Sequence, residues 1–332
     1  MYALIYNPLI FNLPLNIYAM TKLIACFCML LFSLVGELQA QVKTTLSAQI
    51  YGYQGEMVYF DCAQSPLISQ EFHTNPGEDH VFSFDAKKLV CMVINGKTNV
   101  LLEPGDSLHV NIQYEGNKVR SVEFSGTPSA VTHNQVFNNV GKLKIDMRYK
   151  SQLLGCAVLD IKPAKRIGDS KTLVERVKAM VNNPEKKVSP AVANYIMAEV
   201  ESEACMSYME YPVMYAEIRK TPIEKMGIGD YWKIMDDYTI RTDDASLSSM
   251  GYGNMLMRYS FFQNEKKAVA AGKTYEMPKT LEEMYKEIAN TLDGKVREFV
   301  LYRLICNFIQ GGQEIERADA ISFLLIRINK CN

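Results

Sequence analysis

Residues 99–124 read NVLLEPGDSLHVNIQYEGNKVRSVEF and contain three short apolar runs separated by two turn clusters, EPGD at 103–106 and EGN at 115–117. In the second run Leu108, Val110 and Ile112 alternate with polar residues, a pattern typical of a strand with one buried face. Gly and Pro set the backbone angles that turns need, and Asn and Asp hydrogen-bond to their own backbone. The stretch therefore predicts three strands joined by short turns.

The same pattern extends over the whole segment from 44 to 126. Apolar runs lie at 46–51, 57–62, 68–73, 81–84, 89–94, 99–102, 108–114 and 119–124. Turn signals at intervals of about 8–12 residues are typical of a sandwich or barrel. We therefore expect residues 41–127 to form an antiparallel β-sandwich of seven or eight strands.

Helical signals replace the strand pattern after Gly126. Ser189-Pro190 places a capping hydroxyl before a proline at the first helical position, and Thr221-Pro222 repeats that arrangement. Thr280 is followed three residues later by Glu283, which is a capping-box sequence. Residues 128–332 are therefore expected to form an all-α helical bundle, and the predicted fold class is α+β with two domains.

Length and charge narrow the function classes. The chain has 332 residues, which fits two domains, and its 36 Lys and Arg nearly balance its 37 Asp and Glu. This balance provides no broad positive field for nucleic acid or anionic lipid. We therefore expect no nucleic-acid partner.

The N-terminal 40 residues resemble a secretory signal peptide. Met20-Thr21-Lys22 precedes an apolar run at 23–35, and Ala40 stands at the expected cleavage site. The run is shorter than the roughly 20 residues of a spanning helix, so no transmembrane helix is expected in the mature chain. Residues 1–19 contain no charge and read as a misannotated extension. With Met20 as the start, only six residues precede Cys26, too few for a lipoprotein signal. The sequence predicts a periplasmic or envelope-associated protein.

Cysteine spacing argues against a metal site or a redox dithiol. After cleavage the cysteines that remain are Cys62, Cys91, Cys156, Cys205, Cys306 and Cys331, with no Cys-x-x-Cys pair. Close spacing is what lets one turn present two sulfurs to one centre. A disulfide between Cys62 and Cys91 is one alternative in an oxidising compartment, and buried thiols that act as small apolar side chains are the favoured one.

Other catalytic patterns are weak. The histidines at 73, 80, 109 and 133 lack metal-ligand spacing and read as surface or edge residues. The pairs at 236–237 and 243–244 read as solvated charge or helix caps, and the glycines at 227–229 and 251–253 lack the spacing of a phosphate loop. No catalytic, cofactor-binding or metal-binding residue is predicted, and no cofactor.

Aromatic and methionine side chains are concentrated between 206 and 262. Such residues can line an adaptable peptide groove, but the favoured interpretation is a helical core. The set comprises Tyr208, Tyr211, Tyr215, Tyr231, Trp232, Tyr238, Tyr252, Tyr259, Phe261 and Phe262 with Met206, Met209, Met214, Met226, Met235, Met250, Met255 and Met257.

The order of these segments resembles a known family. LLEPGDSLHV at 101–110, VEFSG at 122–126, SPAVANY at 189–195, Tyr211-Pro212 and DDASL at 243–247 are similar to the N-terminal region of TlpA-like, thioredoxin-fold envelope oxidoreductases of Gram-negative gut and oral bacteria. In that family a β-rich domain of unknown function and a helical region precede a thioredoxin domain with a catalytic Cys-x-x-Cys. The likeness spans residues 41 to about 315 and implies an architecture more than an activity.

The resemblance does not extend to the catalytic thioredoxin domain of that family. Residues 313–332 end in an apolar run, and we expect the helical domain to be truncated, the alternative being a natural short protein. The sequence predicts an exported, non-catalytic envelope module that binds an unknown protein or peptide partner or positions a redox domain. The alternative is the truncated front of a thiol-disulfide oxidoreductase.

Overall fold

Eight β-strands precede seven α-helices in the computed structural model, which describes residues 43–149 and 161–311. The strands are β1 (Thr44–Tyr51), β2 (Met57–Cys62), β3 (Ser65–His73), β4 (Asp79–Phe84), β5 (Val90–Ile94), β6 (Thr98–Leu102), β7 (Ser107–Glu115) and β8 (Lys118–Gly126). All eight predicted strands are present. The predicted signal peptide, the residues around Cys156 and the apolar ending at 313–332 lie outside the described residues.

The strands form two four-stranded sheets, with orders β4-β1-β7-β8 and β3-β2-β5-β6. The prediction that all pairing is antiparallel is wrong for one pair, because β1 and β7 run parallel, with Leu46 opposite Leu108. A parallel pair needs a long connection, and here strands β2 to β6 lie between the two partners. The other pairings are antiparallel.

Alternating side chains of both sheets share one core. Leu46, Ala48 and Ile50 of β1 are buried in it together with Val58 and Phe60 of β2. Residues on β5, β6 and β7 complete the same cluster. Strands β1 and β7 each bury one face, as their alternating sequence predicts, whereas β5 and β6 are buried on both faces.

Two glycine positions define how the β-region turns and ends. Asn95 and Gly96 both have positive φ, the requirement of a tight hairpin between β5 and β6. Gly126 closes β8 at φ +127°, and a Cβ there would lie 2.2 Å from the carbonyl oxygen of Ser107. A larger residue at 126 would therefore force β7 and β8 apart.

The helices are α1 (Pro128–Asp146), α2 (Pro163–Val181), α3 (Pro190–Arg219), α4 (Ile228–Lys233), α5 (Met250–Ala270), α6 (Leu281–Thr291) and α7 (Gly294–Gly311). Short 3-10 helices lie at Ile223–Met226 and Ser246–Ser248. A region of two antiparallel-rich sheets followed by helices confirms the α+β fold class.

Two of the three predicted helix starts are confirmed. The hydroxyl of Ser189 accepts a hydrogen bond from Val192 N at the start of α3, and Thr280 and Glu283 form a reciprocal capping box at α6. The predicted cap at Thr221 is wrong. Its backbone N–H instead donates to Ala216 O at the end of α3, after Lys220 in the left-handed conformation, so Thr221 ends one helix rather than starting the next.

Helices cover the outer face of the second sheet. Leu89, Cys91 and Leu101 point away from the inter-sheet core and share a second core with α1, α2 and α3. At the edge strand β6, the side chain of Asn134 on α1 accepts from Leu101 N and donates to Leu101 O, both at 2.8 Å. The amide therefore takes the place of a neighbouring strand, one way to protect a sheet edge.

Candidate functional site

A cavity of about 770 Å³ lies in the helical region. Its lining residues come from α2 (Lys171, Val174 and Glu175), from α3 (Glu201, Ala204, Cys205 and Tyr208) and from the segment 237–243. Residues 238–242 of that segment have no regular secondary structure. The cavity is therefore bounded by two helices on one side and by irregular backbone on the other.

The irregular segment is held in place through Arg241. Its guanidinium donates to both carboxylate oxygens of Glu201, at 2.6 Å each, in a bidentate ion pair. The hydrogen bonds with Glu201 are the main reason that the pKa of Arg241 lies above its ordinary value. The backbone N–H of Arg241 also donates to the hydroxyl of Tyr252, 2.7 Å away, and Tyr238 donates to the same hydroxyl at 3.0 Å.

Part of this segment presents unused backbone groups. Among the described residues, the amides of Thr239, Ile240 and Thr242 have no hydrogen-bond partner, and the side chains of Thr239 and Thr242 are exposed. An anchored segment with free backbone donors resembles a sheet edge in its chemistry, because an extended chain can bind alongside it.

The charges that line the cavity favour a cationic ligand group. Glu175 and Asp237 are exposed carboxylates that form no ion pair with any other described residue. The carboxylate of Asp243 is already occupied, since it accepts from Ser246 N at 2.9 Å and from Ser246 Oγ at 2.7 Å. Lys171 is the cation of the lining that lacks an ion pair in the described part of the chain. Free negative charge exceeds free positive charge at this site.

The aromatic and methionine residues are mainly core, as the favoured interpretation predicted. Trp232, Tyr252, Phe262 and Met255 are among those that are buried in the core of α3 to α7. The single tryptophan stacks edge-to-face on Phe262, at 5.2 Å between ring centroids. Only a few of this group reach the cavity, where Tyr208 and Tyr238 line the wall.

The described thiols are free, and most are buried. Cys62, Cys91 and Cys205 are buried and Cys306 is half-buried, so the prediction of buried apolar thiols is confirmed for the first three. Burial raises the pKa of Cys91 to about 12 and raises those of Cys62 and Cys205. Because the thiolate is the nucleophile, these groups are poorly suited to disulfide exchange. Cys156 and Cys331 lie outside the described residues.

Glu103, Asp106 and His133 bring potential metal-ligand atoms within 4.8 Å of one another. The backbone N–H of Ser189 donates to His133 Nε2 at 3.2 Å, so a neutral ring carries its proton on Nδ1, 3.5 Å from Glu103 Oε2. A protonated Nδ1 has no lone pair for a metal. Asp106 Oδ2 is also occupied, by Glu103 N at 2.8 Å. The geometry fits a link between the β6–β7 turn and the helices better than it fits a metal centre.

A second carboxylate cluster was missed by the sequence reasoning. Glu199 and Glu203 lie one turn apart on α3 and line a cleft of about 300 Å³ with Lys144 of α1. Lys144 donates to Glu203 at 2.5 Å, and Ser249 Oγ donates to Glu199 at 2.5 Å. Burial is the main cause that raises the pKa of Glu199. The spacing of four residues was visible in the sequence, but Lys144 and Ser249 come from distant helices.

The prediction of surface or edge histidines is wrong for His133, and His80 is an edge residue that is nevertheless buried. His73 is exposed and His109 is partly exposed, with a 2.9 Å hydrogen bond to Ser47. His80 lies on the edge strand β4 but is buried against Phe72, and His133 is buried at the contact between the β6–β7 turn, α1 and α3. Their burial arises from partners far away in the sequence.

The remaining sequence patterns take structural roles. The glycines at 251 and 253 lie in the first turn of α5, where a Cβ on Gly253 would lie 2.9 Å from the ring of Phe299. Asp243 accepts from Ser246 N, the first residue of the 3-10 helix at Ser246–Ser248, and Asp236 and Asp244 form ion pairs with Lys266 and Lys295. Among the described residues, no helix is long and apolar enough to cross a membrane.

Comparison of the chain with known protein families, with curated proteins and with solved structures finds no match. The geometry of the cavities and the chemistry of their linings are therefore the basis on which a function is assigned.

Proposed function

We propose that this chain is a non-catalytic binding module that takes an extended peptide segment of a partner protein into the 770 Å³ cavity between α2, α3 and residues 237–243. The observation that carries the proposal is the anchored segment itself. Arg241 and Tyr238 fix it, while neighbouring amides of Thr239, Ile240 and Thr242 have no partner among the described residues. A peptide backbone can bind these groups without any change in the fold.

The cavity lining indicates which peptide side chains would bind. Val174, Ala204 and Tyr208 offer an apolar wall, and Glu175 and Asp237 offer negative charge at its edge. An extended segment in which apolar and basic residues alternate would place the first kind inward and the second kind towards the carboxylates.

Binding of a labelled eight-residue peptide of alternating leucine and lysine, followed by fluorescence anisotropy with the full chain, tests the proposal. Peptides of alternating serine and lysine, or leucine and glutamate, are the controls. Preference for the leucine and lysine peptide supports the proposed chemistry, and equal binding of all three contradicts it.

The envelope location is part of the same proposal and is tested separately. Cleavage after Ala40 predicts that envelope protein begins at or near Gln41, which mass spectrometry of the mature N-terminus can measure. An intact chain that starts at Met1 in the cytoplasm would overturn it.

The oxidoreductase alternative keeps one structural argument. Two stretches that carry the family resemblance, 101–110 and 189–195, contact each other through Glu103 and Ser189. This contact would fix the helical region to the β-region of a scaffold in front of a catalytic domain. Coding sequence beyond Asn332 that specifies a Cys-x-x-Cys domain, in any frame, would favour this alternative. Because the thiols of Cys62, Cys91 and Cys205 are buried, we expect that this chain does not reduce insulin with dithiothreitol as the donor.

We also propose a finer architecture, in which the two sheets form a β-sandwich and the helices a bundle. The shared core of β1, β2, β5, β6 and β7 supports the first statement. The common core of α3 and α5 to α7 supports the second.

A further inference from the structure

A small cavity of about 220 Å³ lies where the turn between β2 and β3 meets α7. Its lining combines Asp61, Cys62 and Gln64 from the β-region with Arg303 and Cys306 from the helix. This cavity and the 770 Å³ cavity proposed to bind a peptide share no lining residue.

Arg303 is a buried cation that has no matching anion among the described residues. The residue is 94% buried, and its Nη2 donates to the neutral amide oxygen of Asn307 at 3.0 Å. Its Nε has no hydrogen-bond partner, and it forms no ion pair with any residue in the described ranges. Burial lowers the pKa of this guanidinium from its ordinary value. A buried charge is costly unless it is paired, so Arg303 is a position where an anion would be stabilising.

Gln64 adds a second unused donor to the same lining. Its Oε1 accepts from the backbone N–H of Cys91 at 2.9 Å, and this donor fixes which side of the amide is oxygen. The Nε2 of Gln64 is buried and has no partner among the described residues. Buried Arg303 and half-buried Gln64 therefore each present a buried N–H group of this cavity that has no partner among the described residues.

We propose that this cavity binds a carboxylate group, with the Arg303 guanidinium and the Gln64 amide as donors to its oxygens. One guanidinium matches a single negative charge, and Asp61 in the same lining disfavours a dianion. Since a water occupies about 30 Å³ of liquid, the volume suits a small monocarboxylic acid or the terminal residue of a peptide. These two sources share the same recognised group.

Thermal unfolding of the full chain tests the site, with propionate as the probe. Propionate raises the unfolding midpoint, whereas neutral propionamide does not, because ligands that bind the folded state stabilise it. Arg303→Gln removes the difference, and Arg176→Gln, at an exposed arginine on α2, keeps it. A wild-type chain that responds equally to propionate and propionamide overturns the proposal.

Alkylation of Cys306 provides a second measurement that needs no variant. Iodoacetate carries a carboxylate and iodoacetamide does not. The rate with iodoacetate divided by the rate with iodoacetamide should therefore be higher at Cys306 than for free N-acetylcysteine. Saturating propionate should slow both reactions at Cys306 by about threefold or more. A ratio equal to that of N-acetylcysteine, with no protection, contradicts the site. A short peptide acid that protects more strongly than propionate, while its C-terminal amide does not protect, identifies a peptide terminus as the source.

Discussion

Ser189 Oγ donates a 2.9 Å hydrogen bond to Glu103 Oε1 across a separation of 86 residues. The same hydroxyl accepts from Val192 N and so caps α3. One side chain therefore starts the longest helix of the described region and attaches it to the turn between β6 and β7. His133 completes this contact, because its ring accepts from Ser189 N and lies beside Glu103.

Ser189→Ala is expected to lower the free energy of unfolding by more than the loss of a helix cap alone would. Loss of an N-cap hydroxyl costs about 1 kcal/mol, and the variant also leaves Glu103 without its Ser189 donor. Urea unfolding followed by Trp232 fluorescence measures the change. Thr280→Ala is the matched control, since Thr280 caps α6 and its hydroxyl contacts only that helix terminus. Equal losses in the two variants would show that the Glu103 contact contributes nothing.

Asn134→Ala is expected to be more damaging. The variant leaves the buried N–H and C=O of Leu101 unsatisfied, at about 1–3 kcal/mol for each unsatisfied group. The free energy of unfolding, again from urea titration, checks this value. Asn138→Ala is the control on the same helix, where no hydrogen bond between its side chain and a strand is present in the described residues. A loss below about 1 kcal/mol in Asn134→Ala would contradict the role of this amide at the sheet edge.

Glu199→Gln should change how stability depends on pH. Burial raises the pKa of Glu199 in the folded state, so its contribution to stability is present below the unfolded-state pKa of about 4.3 and is lost as the pH rises through the folded-state pKa. Glutamine cannot titrate and can still accept from Ser249. The variant should therefore gain stability relative to the wild type as the pH rises from about 4 to 8.

The control for that titration is Glu185→Gln, at an exposed carboxylate in the connection between α2 and α3. This variant removes one negative charge outside the buried cluster and so controls for the loss of charge alone. A stability difference between Glu199→Gln and the wild type that does not change with pH would contradict the assigned burial effect.

Native thiol labelling should follow burial. With iodoacetamide, Cys306 should react well before Cys91 and Cys205, because burial raises the pKa of the latter two and shields them. Peptide mass mapping at successive times gives the order. Rapid labelling of Cys91 in the folded chain would show that the packing between β5 and the helices opens readily.

Local patterns were sufficient for the strands and for two helix starts. Alternation in β7 and turn residues such as Asn95 and Gly96 depend on neighbours a few positions away, so the sequence contains them directly. The parallel pairing of β1 with β7 cannot be found from local patterns, because five other strands lie between the two partners in the sequence. The buried state of His133 was hidden for the same reason, since Glu103 and Ser189 reach it only after folding.

The cavity was only partly foreseeable. The tyrosine and methionine pattern located the helical core and included Tyr208 and Tyr238. It could not show which of these residues line the cavity and which are buried in the core. Arg241 was not singled out, because its role depends on Glu201, which lies 40 residues earlier in the sequence. Gln64 and Arg303 were also missed, since an unused donor is recognised only when its surroundings are known.

Anisotropy titration of the alternating leucine and lysine peptide against Glu175→Arg and Glu185→Arg tests the binding proposal most directly. Both variants make the same charge change at an exposed glutamate, but only Glu175 lines the cavity. If the peptide binds in this cavity, Glu175→Arg weakens binding by about fivefold or more, roughly 1 kcal/mol, while Glu185→Arg stays within about twofold of the wild type. Equal affinity of the two variants, or equal binding of the serine and lysine peptide, would contradict it.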